Sequence, residues 1–188
     1  QNILVRLAEF ERLSPDLPPG IPDAARDEII AAFNEGGVVG VSTAPASRSA
    51  PAYALAATMR RDGNDIRVTA RLFNERSEAT LWSGNFAFDG DQPTRVPRRI
   101  AVHAGNVLRC GMFGASTNPK PLSDTVLSDY LNFCHYYWVE PKSGRMLYFA
   151  RKAVAEAPSF SAGWSAVAIA AGLAMFEQNP GPRREQLR

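Results

Sequence analysis

The sequence predicts an α+β protein: a small α/β sandwich with a mostly antiparallel sheet, followed by an all-α region. Three observations carry this expectation. Every segment with period-two hydrophobic alternation lies before about residue 90. Every long segment with helical periodicity after Gly111 follows another without an intervening strand pattern. Between them the stretch Gly114 to Pro121 is rich in Asn, Pro, Ser and Thr, a linker composition. Segregated strands and helices of this kind predict two parts, 1–113 and 122–188.

Ile3, Val5 and Leu7 alternate within Asn2 to Phe10 and predict the first strand. Ser14-Pro15 and Pro18-Pro19-Gly20 break it. Pro22 suits a first helical turn, and Ala25, Ile29 and Phe33 recur at helical spacing until Asn34 and Gly36-Gly37 provide a stop. Val38 to Ser42 has strand length, and Thr43 to Pro51 reads as an Ala/Ser/Pro loop. Tyr53 to Met59, the turn Arg61-Asp62-Gly63-Asn64, and Ile66, Val68, Ala70 and Leu72 predict a hairpin. Leu81 to Phe88 adds a third strand, making an antiparallel meander. A helix is expected from about Pro97 to Cys110, ending at Gly111. Ser123 can cap a helix reaching about Val139. Arg145 to Ala157 and Phe160 to Gln178 predict two more.

A chain of 188 residues with 45% hydrophobic and 21% charged residues can bury a core without a metal or disulfide staple. A formal net charge of +2 gives no reason to expect nucleic acid as a partner. Arg95, Arg98, Arg99 and, further along, Arg109 are expected to solvate an exposed helix face. No apolar run approaches the ~18 residues of a membrane span. The longest apolar stretch, Ala166 to Phe176, is too short. No signal peptide is visible, and the chain reads as a fragment of a longer protein.

No phosphate-binding, dinucleotide-binding, zinc-protease or serine-hydrolase motif occurs, so no enzyme activity, cofactor or metal is expected. His103 and His135 have no neighbour at metal-ligand spacing and read as packed or partly exposed helix residues. Asp62 and Asp65 flank a turn that favours Asp, and Trp82 reads as core. Cys110 and Cys134 fit no zinc or redox spacing. They are either two buried free thiols or one disulfide tying the α/β part to the first helical hairpin, and a disulfide would require an oxidising compartment. Tyr130, Tyr136, Tyr137 and Trp138 form an aromatic cluster, either core or, through Tyr130, Tyr137 and Trp138, a concave partner-binding surface of the kind helical repeats use.

A shift of about 34 residues superposes Tyr130 on Trp164, Cys134 on Ala168 and Tyr137 on Ala171. With Ala153, Pro158 and the hinge Ala150 to Ala162, this resembles one full tetratricopeptide repeat and the first helix of another. The opening strand Ile3 to Phe10, then Tyr53 to Arg60, Asp62-Gly63-Asn64, Ile66 to Leu72 and Leu81-Trp82-Ser83, resemble in order and spacing the TolB-amino-terminal-like (FlgO-like) domain. That family usually carries a second helix where Thr43 to Pro51 stands. The two resemblances together imply the sensory or protein-binding part of a CadC-like membrane-anchored transcriptional regulator. They admit as the alternative the regulatory region of a multidomain class III adenylate cyclase whose catalytic domain lies elsewhere, and as a further alternative a cell-envelope scaffold. They imply a protein partner or self-association through the helices, including a homodimer, and a periplasmic or otherwise extracytoplasmic location, with a cytoplasmic one as the alternative.

Overall fold

A computed structural model describes residues 3–34, 39–44 and 53–178. Five strands and five α-helices follow in the order β1 (Ile3–Arg12), α1 (Ile21–Asn34), β2 (Val39–Ser42), β3 (Tyr53–Asp62), β4 (Asp65–Asn74), β5 (Thr80–Asp89), α2 (Val96–Ser116), α3 (Asp124–Trp138), α4 (Ser143–Glu156) and α5 (Ser161–Gln178). A short 3₁₀ turn, Pro93–Arg95, leads into α2. The mixed α and β class and its order are as the sequence predicts. The expected cap at Gly36-Gly37 and most of the Thr43 to Pro51 loop lie outside the described residues.

The strands form one sheet in the order β2-β1-β3-β4-β5. β1 runs parallel to both β2 and β3, while the longer β3–β4 and β4–β5 ladders are antiparallel and make the expected meander. The β3–β4 register pairs Asp62 with Asp65, leaving Gly63-Asn64 as a two-residue turn. Gly63 sits at φ +60°, the first-position geometry that this turn demands and that a side chain resists.

Alternation explains which face is covered. Val5, Leu7, Leu55, Met59, Val68, Leu72, Trp82 and Phe86 are buried on one face, against Ala25, Ile29 and Phe33 of α1 and Ile100, Ala104 and Leu108 of α2. The intervening positions, among them Thr58, Arg60, Arg67, Thr69, Arg71 and Asn85, leave the other face polar and partly wet. Packing is continuous from the sheet through α2 into the helical region, and residues of both belong to one hydrophobic cluster.

One helix departs from its expected end. α2 does not stop at Cys110 but runs on to Ser116, through Gly111 and Gly114. These glycines are a contact surface rather than a terminator. A Cβ on Gly111 would stand 2.9 Å from Leu131 Cγ, and one on Gly114 would stand 2.6 Å from Tyr130 Cζ. Without those Cβ atoms α3 lies directly on α2. α3 itself begins as read, with the Ser123 hydroxyl accepting from the Val126 N–H. Its first residue is tied to the β4–β5 turn, where Asn74 and Ser77 donate to the Asp124 carboxylate.

α3, α4 and α5 stack as successive neighbours, with Ala150, Ala153, Ala166 and Ala170 buried at the crossings. The 34-residue superposition pairs unlike environments. Tyr130 is buried but Trp164 is 53% exposed, and Cys134 is buried where Ala168 is exposed. Burial instead matches at 36 residues: Leu127 with Gly163, Tyr130 with Ala166, Cys134 with Ala170. The reason is the partners. α3 packs between α2 and α4, whereas α5 packs chiefly on α4 among the described residues. Its Trp164 face therefore has no helix against it there.

Candidate functional site

α2, α3 and α5 converge on an apolar groove of about 590 Å³. Its walls are Phe113 of α2, Tyr130, Phe133, Tyr137 and Trp138 of α3, and Ile169 of α5, with Val39 of the edge strand β2 at one side. Asn106 and Arg109 of α2 add polar side chains to its lining. This volume lies within the ordinary range for ligand pockets.

The groove brings together all three aromatics singled out by the sequence, in unequal roles. Tyr130 is core: it is 7% exposed, stacks on Phe133 and meets Phe160 edge-on. Burial pushes its phenol up to about 12, so it stays neutral at any physiological pH. Tyr137 stacks on Phe133 and is half-buried. Trp138 is 50% exposed and meets Tyr137 edge-on at the rim. Phe113 of α2, also half exposed, lines the same groove. Exposed Phe and Trp gathered at one cleft mark interaction surfaces. Tyr136 points elsewhere, stacking on Phe149 under the Arg145 guanidinium.

Sequence reading missed Phe113, Asn106 and Ile169, and read Arg109 only as part of a solvated helix face. The signal that could have found Phe113 was the amphipathic register of α2 itself. Continued past Cys110, that register puts residue 113 on the same stripe as Arg99, Val102 and Asn106.

Cys110 and Cys134 are joined as a disulfide, with 5.9 Å between their α-carbons. The bond pins α2 to α3 beside the groove, so its two main walls are fixed relative to one another. No free cysteine remains in the chain.

The histidines sit apart from the groove. His103 stacks on Phe86 and Phe88. His135 is buried between Trp82 and Tyr136, with Nε2 3.8 Å from a Glu140 carboxylate oxygen. Burial lowers the pKa of both, and Arg99 beside His103 adds to its shift. For His135 the Glu140 carboxylate works the other way, but burial dominates. As pH falls below the ordinary value of 6.5, the unfolded chain takes up a proton that folded His135 resists. Stability is therefore full above 6.5 and drops on acidification, by at most about 1.4 kcal/mol per pH unit for one proton. Chemical denaturation at pH 7.5, 6.5 and 5.5 should show this fall, and His135→Gln should reduce the slope to the share that His103 contributes.

Asp62 is ion-paired with Arg67 across the hairpin, and Trp82 is core. No group of three or more His, Cys, Asp or Glu residues that could hold a metal occurs among the described residues. No described helix is long and apolar enough to cross a membrane.

No protein-family model matches the sequence, and no curated protein matches it. Solved structures resemble about half of the chain at low identity. TolB from Acinetobacter baumannii is 11% identical over 57% of this chain and 28% of its own, with a TM-score of 0.42. This chain thus spans little more than a quarter of that protein. PelC from Paraburkholderia phytofirmans, a dodecamer, is 16% identical over 53% of this chain and 85% of its own, with a TM-score of 0.39. The LpoB carboxy-terminal domain from Salmonella enterica is 11% identical over 47% of this chain and 83% of its own, with a TM-score of 0.35.

Proposed function

We propose that this chain is a non-catalytic protein-binding module of the bacterial cell envelope, and that the α2–α3–α5 groove receives an apolar segment of its partner. The observation that carries the reading is the groove itself, rimmed by half-exposed Phe113 and Trp138 and walled by core aromatics. Aromatic anchors around a preformed cleft are where binding energy concentrates in protein interfaces. The Cys110–Cys134 bond supports an oxidising, extracytoplasmic setting, since such bonds are rare in reducing compartments. Both features fit a sensor part of a CadC-like membrane-anchored regulator, the finer form of this reading. In that form a partner engages the groove and a neighbouring domain responds. Any such response requires the partner to bind two arrangements of the protein with different affinity.

The test is site-specific photo-crosslinking in cells that make the full-length protein. A photoreactive residue at Trp138 should give a discrete adduct with another protein, while one at Arg71 on the open sheet face should not. Equal labelling from both positions, or none from either, removes the groove as the binding site.

A further inference from the structure

Resting on that reading, we infer that the segment docking in the groove carries carboxylates beside its apolar anchor, and that these lie along the outer stripe of α2. The stripe is continuous. Arg95, Arg98, Arg99, Val102, Asn106, Arg109 and Phe113 all fall within about 60° of one line along the helix at 100° per residue. Their spacing follows the i, i+3, i+4, i+7 pattern of one helix face. Every other part of the helix is buried or flanks this line. Phe113 marks the groove end and the three closely spaced arginines mark the other.

Charge on this stripe is of one sign. The 21 residues of α2 contain no Asp or Glu. Arg95, Arg98, Arg99 and Arg109 make no ion pair among the described residues. Two of the guanidinium heads are partly engaged: that of Arg99 lies over the Phe88 ring at 5.0 Å, and that of Arg109 lies over Phe33 at 5.1 Å and donates to the Ala32 carbonyl. All four arginines are exposed, and no carboxylate neutralises them among the described residues. A cleft of about 550 Å³ lies along Arg95, Arg98, Arg99, Val102 and His103, and Glu28 of α1 is the carboxylate on its wall. Arginines at the amino end of a helix face its positive pole, so they weaken folding rather than support it. Their alignment with the groove is explained by an anionic partner.

The geometry sets the partner's pattern. Phe113 to Arg109 spans about 6 Å and Phe113 to Arg95 about 27 Å at 1.5 Å per residue. An extended segment covers ~3.3 Å per residue. Its acidic residues therefore fall roughly two to eight positions to one side of the anchor. A protein segment is favoured over an anionic bilayer because the anchor site is concave, and a flat surface would leave Tyr137 and Phe133 unfilled.

The experiment places a photoreactive residue at Phe113 in the full-length protein in cells and maps the crosslinked peptide by mass spectrometry. Three backgrounds are compared: unaltered, Arg98→Glu/Arg99→Glu, and Arg98→Lys/Arg99→Lys. These side chains are exposed, and a melting temperature of each purified variant no lower than that of the unaltered protein checks that the fold is kept. The expected result is an apolar peptide with Asp or Glu within about eight residues. Capture should fall at least fivefold in the Glu variant, persist in the Lys variant, and weaken in vitro as salt rises. Capture that ignores the Arg98→Glu/Arg99→Glu change, or a peptide without acids, overturns the inference and leaves the groove reading intact. A lipid adduct, or binding of the purified protein to anionic vesicles that the Glu variant loses, assigns the stripe to a membrane and also overturns it. Crosslinks only to a second copy of this chain, or none, overturn both.

Discussion

Replacing Cys110 and Cys134 together by alanine lowers the stability of the protein by about 3 kcal/mol and its melting temperature by about 6–12 °C. The bond closes a 24-residue stretch of chain. Opening it returns to the unfolded ensemble the freedom that a loop of this length otherwise lacks. Cys134 is fully buried at the α2–α3 contact, so the alanines also remove sulfur–carbon contacts there. The effect is measured by thermal melts of the double variant, and of the unaltered protein with and without a thiol reductant. The reduced protein and the variant should melt together. A change below 2 °C would show that the cross-link does not restrain the unfolded chain. The loss bears on function as well, because the same bond fixes Phe113 on α2 relative to Trp138 on α3.

The second large effect belongs to the glycines of α2. Alanine is the better helix former by about 1 kcal/mol in an exposed helix interior. At Gly114 the steric cost wins. The new methyl group would meet the Tyr130 ring, which Phe133 and Phe160 hold from other sides. Forcing a group into such a site costs about 1–3 kcal/mol. Gly114→Ala is therefore destabilising by a net of up to about 2 kcal/mol, and Gly111→Ala by less, since Leu131 is the more adaptable neighbour. Gly172→Ala in α5 is the control. Nothing lies within 4 Å of its new methyl, so it should stabilise by up to about 1 kcal/mol. Denaturant midpoints give all three values. Stabilisation by Gly114→Ala would mean that α2 and α3 are not in close contact.

These glycines also show where sequence reading ended. Gly111 was expected to terminate a helix because glycine is the usual residue after one. Whether a glycine stops a helix or lets another approach depends on what lies across from it, and Leu131 is twenty residues away. The strands, by contrast, were legible almost to their ends. Ile66, Val68, Ala70 and Leu72 alternate strictly because one face is buried and the other is not. The 34-residue repeat was visible in residue types, but Trp164 and Tyr130 have different neighbours, and burial follows neighbours. Of the candidate site, the sequence offered Tyr130, Tyr137 and Trp138. It could not join them to Phe113 and Ile169, which reach the groove from helices on either side. The cysteines left two readings open, because separation along the chain does not say which helix faces meet.

The groove as a binding site is most directly tested by Phe113→Asp, scored for the protein adduct formed by a photoreactive residue at Ile169 on the facing wall. Phe113 is half exposed, so the charge is tolerated by the fold, and melting of the variant verifies this. Abolished capture by a protein that melts normally is the predicted result. Undiminished capture would contradict the assignment of this groove to a partner.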